Sequence, residues 1–238
     1  MSNVYGSVAL EISNALKEMD TNEELSLFEC ACLGNPEKAI KGEVLHHLRN
    51  KGIIAVEEVG YKGGSSVSSG TKSPDLDLCI FSKNHALEDV IEFKHFTYNQ
   101  PNIQEMFNNM KSDYDRTRPG KDQSTGEPVY NPKFIEVGLY TNIESIEPKD
   151  NLKAPGLYRI RTYYSNPKDG KEGDTYLRNG IDGLLKLTPK NGGFTVNPQS
   201  PYIFEIGKQH KIIRDGRTFV GHVDFFIFEW TNTQSKKY

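Results

Sequence analysis

Residues 75–80 read Asp-Leu-Asp-Leu-Cys-Ile, and apolar side chains recurring at every second position give a strand with one apolar and one polar face. Ten residues further on, Val90 to Phe96 repeats the pattern, with Glu92 and Lys94 on one side and Ile91 and Phe93 on the other. The polar stretch Ser82 to Glu88 joins them, so a hairpin is expected. Its polar face would carry Asp75, Asp77, Glu92 and Lys94 together. This pairing commits the chain to a sheet that buries one face and gathers charge on the other.

The preceding residues supply helices. Val8, Leu10, Ile12, Leu16 and Met19 fall at roughly helical spacing within Ser7 to Asp20, and Leu25, Leu27 and Phe28 extend a second helical reading over Asn22 to Cys32. Asn35-Pro36-Glu37 is a helix start, with Asn35 as N-cap and Pro36 at the first helical position. That helix should run to about Asn50 and end at Gly52, with Ile40, Val44, Leu45 and Leu48 facing inward. Ile53 to Val59 then reads as a strand and Gly63 to Gly70 as a Gly/Ser loop. After the hairpin, Pro101 opens a helix to about Arg116, Gly120 to Pro128 is a polar loop, and Phe134 to Tyr140 is a strand. The remainder reads as turns and short strands at Leu157 to Tyr164, Tyr202 to Ile206, Lys211 to Ile213 and Val223 to Trp230. Lys190 to Ser200 reads as a linker or a long hairpin loop.

No domain boundary or internal repeat is evident, so 238 residues are expected to form a single domain, with residues 36–140 as its core and 141–238 as a β-rich C-terminal elaboration. Cys30, Cys32 and Cys79 make neither a CxxC pair nor an even disulfide framework, and the N-terminus lacks the pattern of a signal peptide. A reducing, cytoplasmic location is the expectation. No apolar run reaches the roughly 20 residues a spanning helix needs. A net charge of −3 gives no overall case for nucleic acid, but local clusters do occur: Lys111, Arg116, Arg118 and Lys121, then Lys208, His210, Lys211, Arg214 and Arg217. Neither a phosphate-binding GxxxxGK[ST] loop nor a GxSxG elbow is present. His46, His47 and His95 have no partner at zinc-site spacing.

Metal-assisted hydrolysis of a phosphodiester needs carboxylates to hold a hard cation and a group that orients the attacking water. The hairpin has both. Asp77 and Glu92 on adjacent strands can share a Mg²⁺ (or Mn²⁺), with the backbone carbonyl of Phe93 as a further ligand. Lys94 lies two residues beyond Glu92 and therefore on its side of the strand, beside the water and the scissile phosphate. Asp75 and Asp77 share the same face by alternation. The Pro74-Asp75 dipeptide points to the first and the Leu78, Ile80 alternation to the second, and we favour Asp77 as the main ligand.

Ser73-Pro74-Asp75-Leu76-Asp77-Leu78-Cys79-Ile80, the turn, and Val90-Ile91-Glu92-Phe93-Lys94-His95-Phe96 resemble the signature of the PD-(D/E)xK nuclease superfamily. Lys41 to Gly52 with the strand after it looks like that family's leading helix and first core strand, and the likeness runs over roughly residues 36–140. The resemblance implies an α/β fold, restriction-endonuclease-like, with a central mixed sheet flanked by helices, Mg²⁺ as the usual metal, and cleavage of nucleic acid. It also implies that a helix-borne carboxylate joins the centre, a place held here by Glu43. DNA is the expected partner, with RNA or branched or single-stranded DNA as another substrate class, pairing of two copies as an option, and a catalytically inactive binding module as the rival reading. Tyr98, Asn99 and Gln100, with Lys111, Arg116 and Arg118, are the candidate nucleic-acid contacts. The aromatic run Phe225, Phe226, Phe228 and Trp230 is assigned to core packing.

Overall fold

The computed structural model describes residues 7–22, 25–32, 36–60, 75–97, 132–148, 194–196, 203–214 and 216–232. Three helices come first: α1 (Val8–Thr21), α2 (Leu27–Cys32) and α3 (Pro36–Asn50). Ser7 caps α1 by accepting the Leu10 N–H at 3.3 Å. The second helix is shorter than its apolar spacing suggests. Ser26 accepts the Glu29 N–H at 3.1 Å and so starts the helix there, four residues after Asn22. At the end of α3, Gly52 takes φ +76° while its N–H bonds Arg49 O and Ile53 N–H bonds Leu48 O. This is a Schellman C-cap, which a side chain at residue 52 would strain.

Strands β1 (Ile54–Gly60), β2 (Asp75–Phe81) and β3 (Leu87–Thr97) form an antiparallel meander. Next, β4 (Lys133–Glu147) pairs with β3 in parallel, and β8 (Arg217–Asn232) pairs antiparallel with β4. The short strands β5 (Phe194–Val196), β6 (Ile203–Glu205) and β7 (His210–Arg214) all pair with β8. The main strand order is therefore β1-β2-β3-β4-β8-β5. The chain is α/β with a mixed, open sheet, and its C-terminal strands belong to the same sheet as the hairpin. β5 lies inside Lys190–Ser200, so that segment holds a paired strand and is neither a plain linker nor a bare loop. The expected strands around Phe134 and Val223 are also longer than their apolar cores.

Residues in register share a face, and the register separates the two sides of the sheet. One side carries Leu78, Ile91, Ile135, Phe93, Val137, Ile227, Leu139 and Phe225, which join Ile12, Leu16, Phe28, Ile40, Val44 and Leu48 of the helices in one buried cluster. The other carries Cys79, Val90 and Phe134, then Glu92, Glu136 and Phe228, then Lys94, Gly138 and Phe226. Phe225, Phe226 and Phe228 are buried, as expected of core residues. A Cβ on Gly138 would lie 1.8 Å from Cζ of Phe226, so the ring takes the space a side chain at residue 138 would need. Phe226 and Phe228 stack at a tilt with centroids 5.0 Å apart.

The expected helix over 101–116, the loops at 63–70 and 120–128, and the strand at 157–164 lie outside the described residues. No helix among the described residues is long and apolar enough to cross a membrane.

Candidate active site

The β2–β3 ladder runs from Phe81↔Leu87 to Leu78↔Ile91. Carrying its register one step further sets Asp77 across from Glu92. At that step the Asp77 carboxylate takes over from the backbone: its Oδ2 accepts the Phe93 N–H at 2.9 Å. The next outward-facing donor on β3, the His95 N–H, is accepted at 2.8 Å by Oε1 of Glu37 from the first turn of α3. Two carboxylates thus satisfy consecutive backbone donors where β2 leaves β3, which a bare strand edge would lose to solvent.

Asp77 also meets a cation. The Lys41 ammonium lies 3.4 Å from Asp77 Oδ1 and 3.5 Å from Glu58 Oε1, with the lysine side chain only 9 % exposed. Glu58 stands in β1 between Glu57↔Leu78 and Val59↔Leu76, level with Asp77, and has φ +53°. A non-glycine residue in the left-handed region inside a strand is strained.

Glu92 lies on the sheet face away from the helices and is 5 % exposed. The Cys79 thiol on the same face is pushed up to about 12, first by burial and then by the charge of Glu92. It is accordingly neutral at ordinary pH and a poor metal ligand. Glu136, fully buried, is the β4 partner of Glu92 in the parallel register, so two carboxylates stand abreast on neighbouring strands. Lys94 is half-buried, one position past Phe93 and level with Gly138. His95 turns the opposite way, with Nε2 2.7 Å from Thr141 Oγ1.

Asp77, the Phe93 backbone, Glu92 and Lys94 therefore lie within one short stretch of the hairpin, and Asp77 touches β3 directly. Asp75 is on β2 opposite Gly60, and its side chain lies outside the described residues. Glu43 does not share this place. It is exposed, and its charge helps burial push the Cys30 thiol of α2 up to about 11, whereas Lys41 and Glu37 occupy the flank of α3 that meets the hairpin. The helix carboxylate that reaches β3 is Glu37. Tyr98, Asn99, Gln100, Lys111, Arg116 and Arg118 lie outside the described residues. In the C-terminal basic cluster, His210 Nε2 lies 3.2 Å from Asp20 Oδ1 and Arg217 donates to Pro148 O at 2.6 Å, whereas Lys208 is held by its backbone N–H, which donates to Asp20 Oδ2 at 2.6 Å.

Glu37, Lys41, Glu58 and Glu136 were not singled out by sequence reasoning. Glu37 and Lys41 had a signal, since they stand four apart on the flank of the inward stripe Ile40, Val44 and Leu48. The donors available to a cation are hard oxygens, from Asp77, Glu92 and the Phe93 carbonyl, and these suit Mg²⁺ or Mn²⁺ in kind. A cation, the Lys41 ammonium, already rests against Asp77. Among the described residues no group of three or more His, Cys, Asp or Glu side chains is arranged to hold a metal ion. No family model, curated protein or solved structure shows a significant match to the chain.

Proposed function

We propose that this chain is a Mg²⁺-dependent nuclease on a restriction-endonuclease-like core, cutting phosphodiester bonds in DNA. The observation that carries the reading is the parting of β2 from β3, where Asp77 reaches the backbone of the Glu92-Phe93-Lys94 strand. The order of elements supports it: a leading helix, the strand after it and the hairpin lie in one mixed sheet, in keeping with the mixed sheet and leading helix that the sequence resemblance implies.

Asp77, Glu92 and the Phe93 carbonyl would hold the cation. When bound, it would polarise a phosphoryl oxygen and make a coordinated water more acidic. The Phe93 N–H fixes the orientation of the Asp77 carboxylate. Lys94 contributes a positive charge from the same strand as Glu92, placed to assist water attack and to offset the charge that builds on the phosphate. Burial of Glu92 keeps bulk water from screening that field.

Incubation of supercoiled plasmid with and without Mg²⁺, alongside Glu92→Ala, tests the activity. Cleavage by the parent protein that needs the metal and disappears in the variant is the expected result. No cleavage of plasmid, single-stranded or branched DNA, or RNA would sink it. A second reading, a binding module without catalysis, is favoured by one feature: both oxygens of Asp77 are already engaged, one by Lys41 and one by Phe93 N–H. Nucleic-acid binding that is salt-dependent but never followed by cleavage would be its signature.

A further inference from the structure

The Lys41–Asp77–Glu58 cluster has a feature that a simple ion pair does not. Its ammonium is buried, yet it sits at 3.4 and 3.5 Å from the two carboxylates, longer than a tight charge-assisted bond of about 2.8 Å. Glu58 meanwhile keeps a strained backbone, φ +53°, at the strand position level with Asp77. Its side chain is 61 % exposed, so it can move at little cost, whereas Asp77 is held by the Phe93 N–H. The lysine thus lies between a fixed carboxylate and a movable one.

From this geometry we infer that Lys41 is a resident counter-cation that guards Asp77, and that Glu58, which it already touches, retains it when a divalent cation binds. The inference rests on the nuclease reading and concerns the control of that same site. Without a metal, the ammonium neutralises Asp77, and the two carboxylates keep a buried lysine from standing unpaired. A divalent cation at Asp77 and Glu92 repels the ammonium, and withdrawal of Lys41 from Asp77 toward Glu58 relieves the repulsion. Lys41 is a positioning residue here, since it acts through Asp77. The Glu58 carboxylate meets α3 from β1, with Oε1 3.5 Å from the Lys41 ammonium.

The test is calorimetric titration of Mn²⁺ into the full-length protein, with circular dichroism as a check on folding. Lys41→Met removes the competitor and should tighten Mn²⁺ binding by about tenfold, because the displacement cost disappears. Glu58→Gln removes the retaining charge and should weaken binding by roughly threefold, while leaving a surface position that tolerates the change. Equal or weaker binding by a folded Lys41→Met protein overturns the inference. If Lys41→Met does not fold, Glu58→Gln decides alone, and unchanged or tighter binding by it overturns the inference. Should neither the parent nor the variants bind Mn²⁺, this inference and the metal-dependent reading both fail. Binding with the expected changes but no cleavage of any nucleic acid would leave the inference standing and remove only the nuclease.

Discussion

The two ends of the β3–β4 pair face different neighbours, and the contrast explains where chemistry can be built. On the β8 side the ladder with β4 runs from Phe134↔Trp230 to Glu147↔Thr218, with one irregularity between Ile143 and Ser145. Its buried side chains are mostly aromatic and branched, with Glu136, Asp224 and Glu229 enclosed among them, and Gly138 admits the Phe226 ring. On the β2 side the ladder stops at Leu78↔Ile91 and carboxylates replace backbone acceptors. A densely packed rear holds β3 in place, and the front can then keep charged groups at distances that a self-optimising salt bridge would shorten. Strain and loosely paired charge are sustained at such a front because packing elsewhere over-determines it.

The sharpest break between the two regions comes from activity. Lys94→Ala should cut cleavage by about 10²-fold or more while leaving the melting temperature and Mn²⁺ affinity nearly unchanged, because Lys94 supplies charge and no metal ligand. A fully active Lys94→Ala protein removes it from the mechanism. Asp77→Asn should lower both cleavage and cation affinity, and comparison with Asp75→Asn, assayed in parallel, assigns the main ligand.

Damage to the rear should do the opposite. Gly138→Ala places a methyl group where the Phe226 ring lies and should destabilise the fold by about 3 kcal/mol, read by urea denaturation. An effect under about 0.5 kcal/mol would mean the β4–β8 ladder is softer than its packing implies.

Asp89 sharpens the comparison through pH. It lies at the opposite end of β3 from the parted strands, where burial raises its carboxyl to about 6 despite Lys133, with Glu229 and Glu88 adding to the rise. The folded protein therefore holds this proton more tightly than the unfolded chain, whose value is near 3.9. Stability from the protonated form is complete below about pH 4 and is lost as pH rises through about 6. Asp89→Asn should consequently gain about 3 kcal/mol over the parent at pH 8, and the gain should vanish near pH 4. A pH-independent difference would show that the carboxyl is not the titrating group.

The smallest expected effect concerns the backbone of Glu58. Glu58→Gly compared with Glu58→Gln changes only the left-handed residue once the charge is gone, and should be more stable by about 0.5 kcal/mol. Equal stability would place no strain there.

The phase of the hairpin was legible because alternation is local: Leu78 and Ile91 turn inward, so Glu92 and Lys94 must turn away. The start of α3 at Pro36 and its end at Gly52 were legible for the same reason, through residues whose backbone preferences act within one turn. Partnerships across the sheet were not. Lys41 meets Asp77 over 36 residues of sequence and Glu37 meets His95 over 58, and no periodicity encodes such contacts. The resemblance directed attention to Glu43, but Ile40, Val44 and Leu48 fix the rotation of α3 and leave that residue on the flank beside Cys30. The strand at Phe194–Val196 was hidden by its Gly-rich setting and exists by pairing with β8. Positive φ at Glu58 carried no signal, since the residue is neither Gly nor Asn.

Strand β8 is the last of the described strands to be synthesised, yet it is the one against which β4, β5, β6 and β7 all align. During translation the outer edge of β4 must wait for it, with the backbone donors and acceptors of a long strand exposed to other nascent chains. Assembly of the sheet depends on contacts between segments more than 70 residues apart, such as Thr141 with Val223, which makes for slow folding. The architecture therefore ties the birth of the domain to its final segment: the polar front can be translated early, but it acquires its backing only when the C-terminal strand arrives.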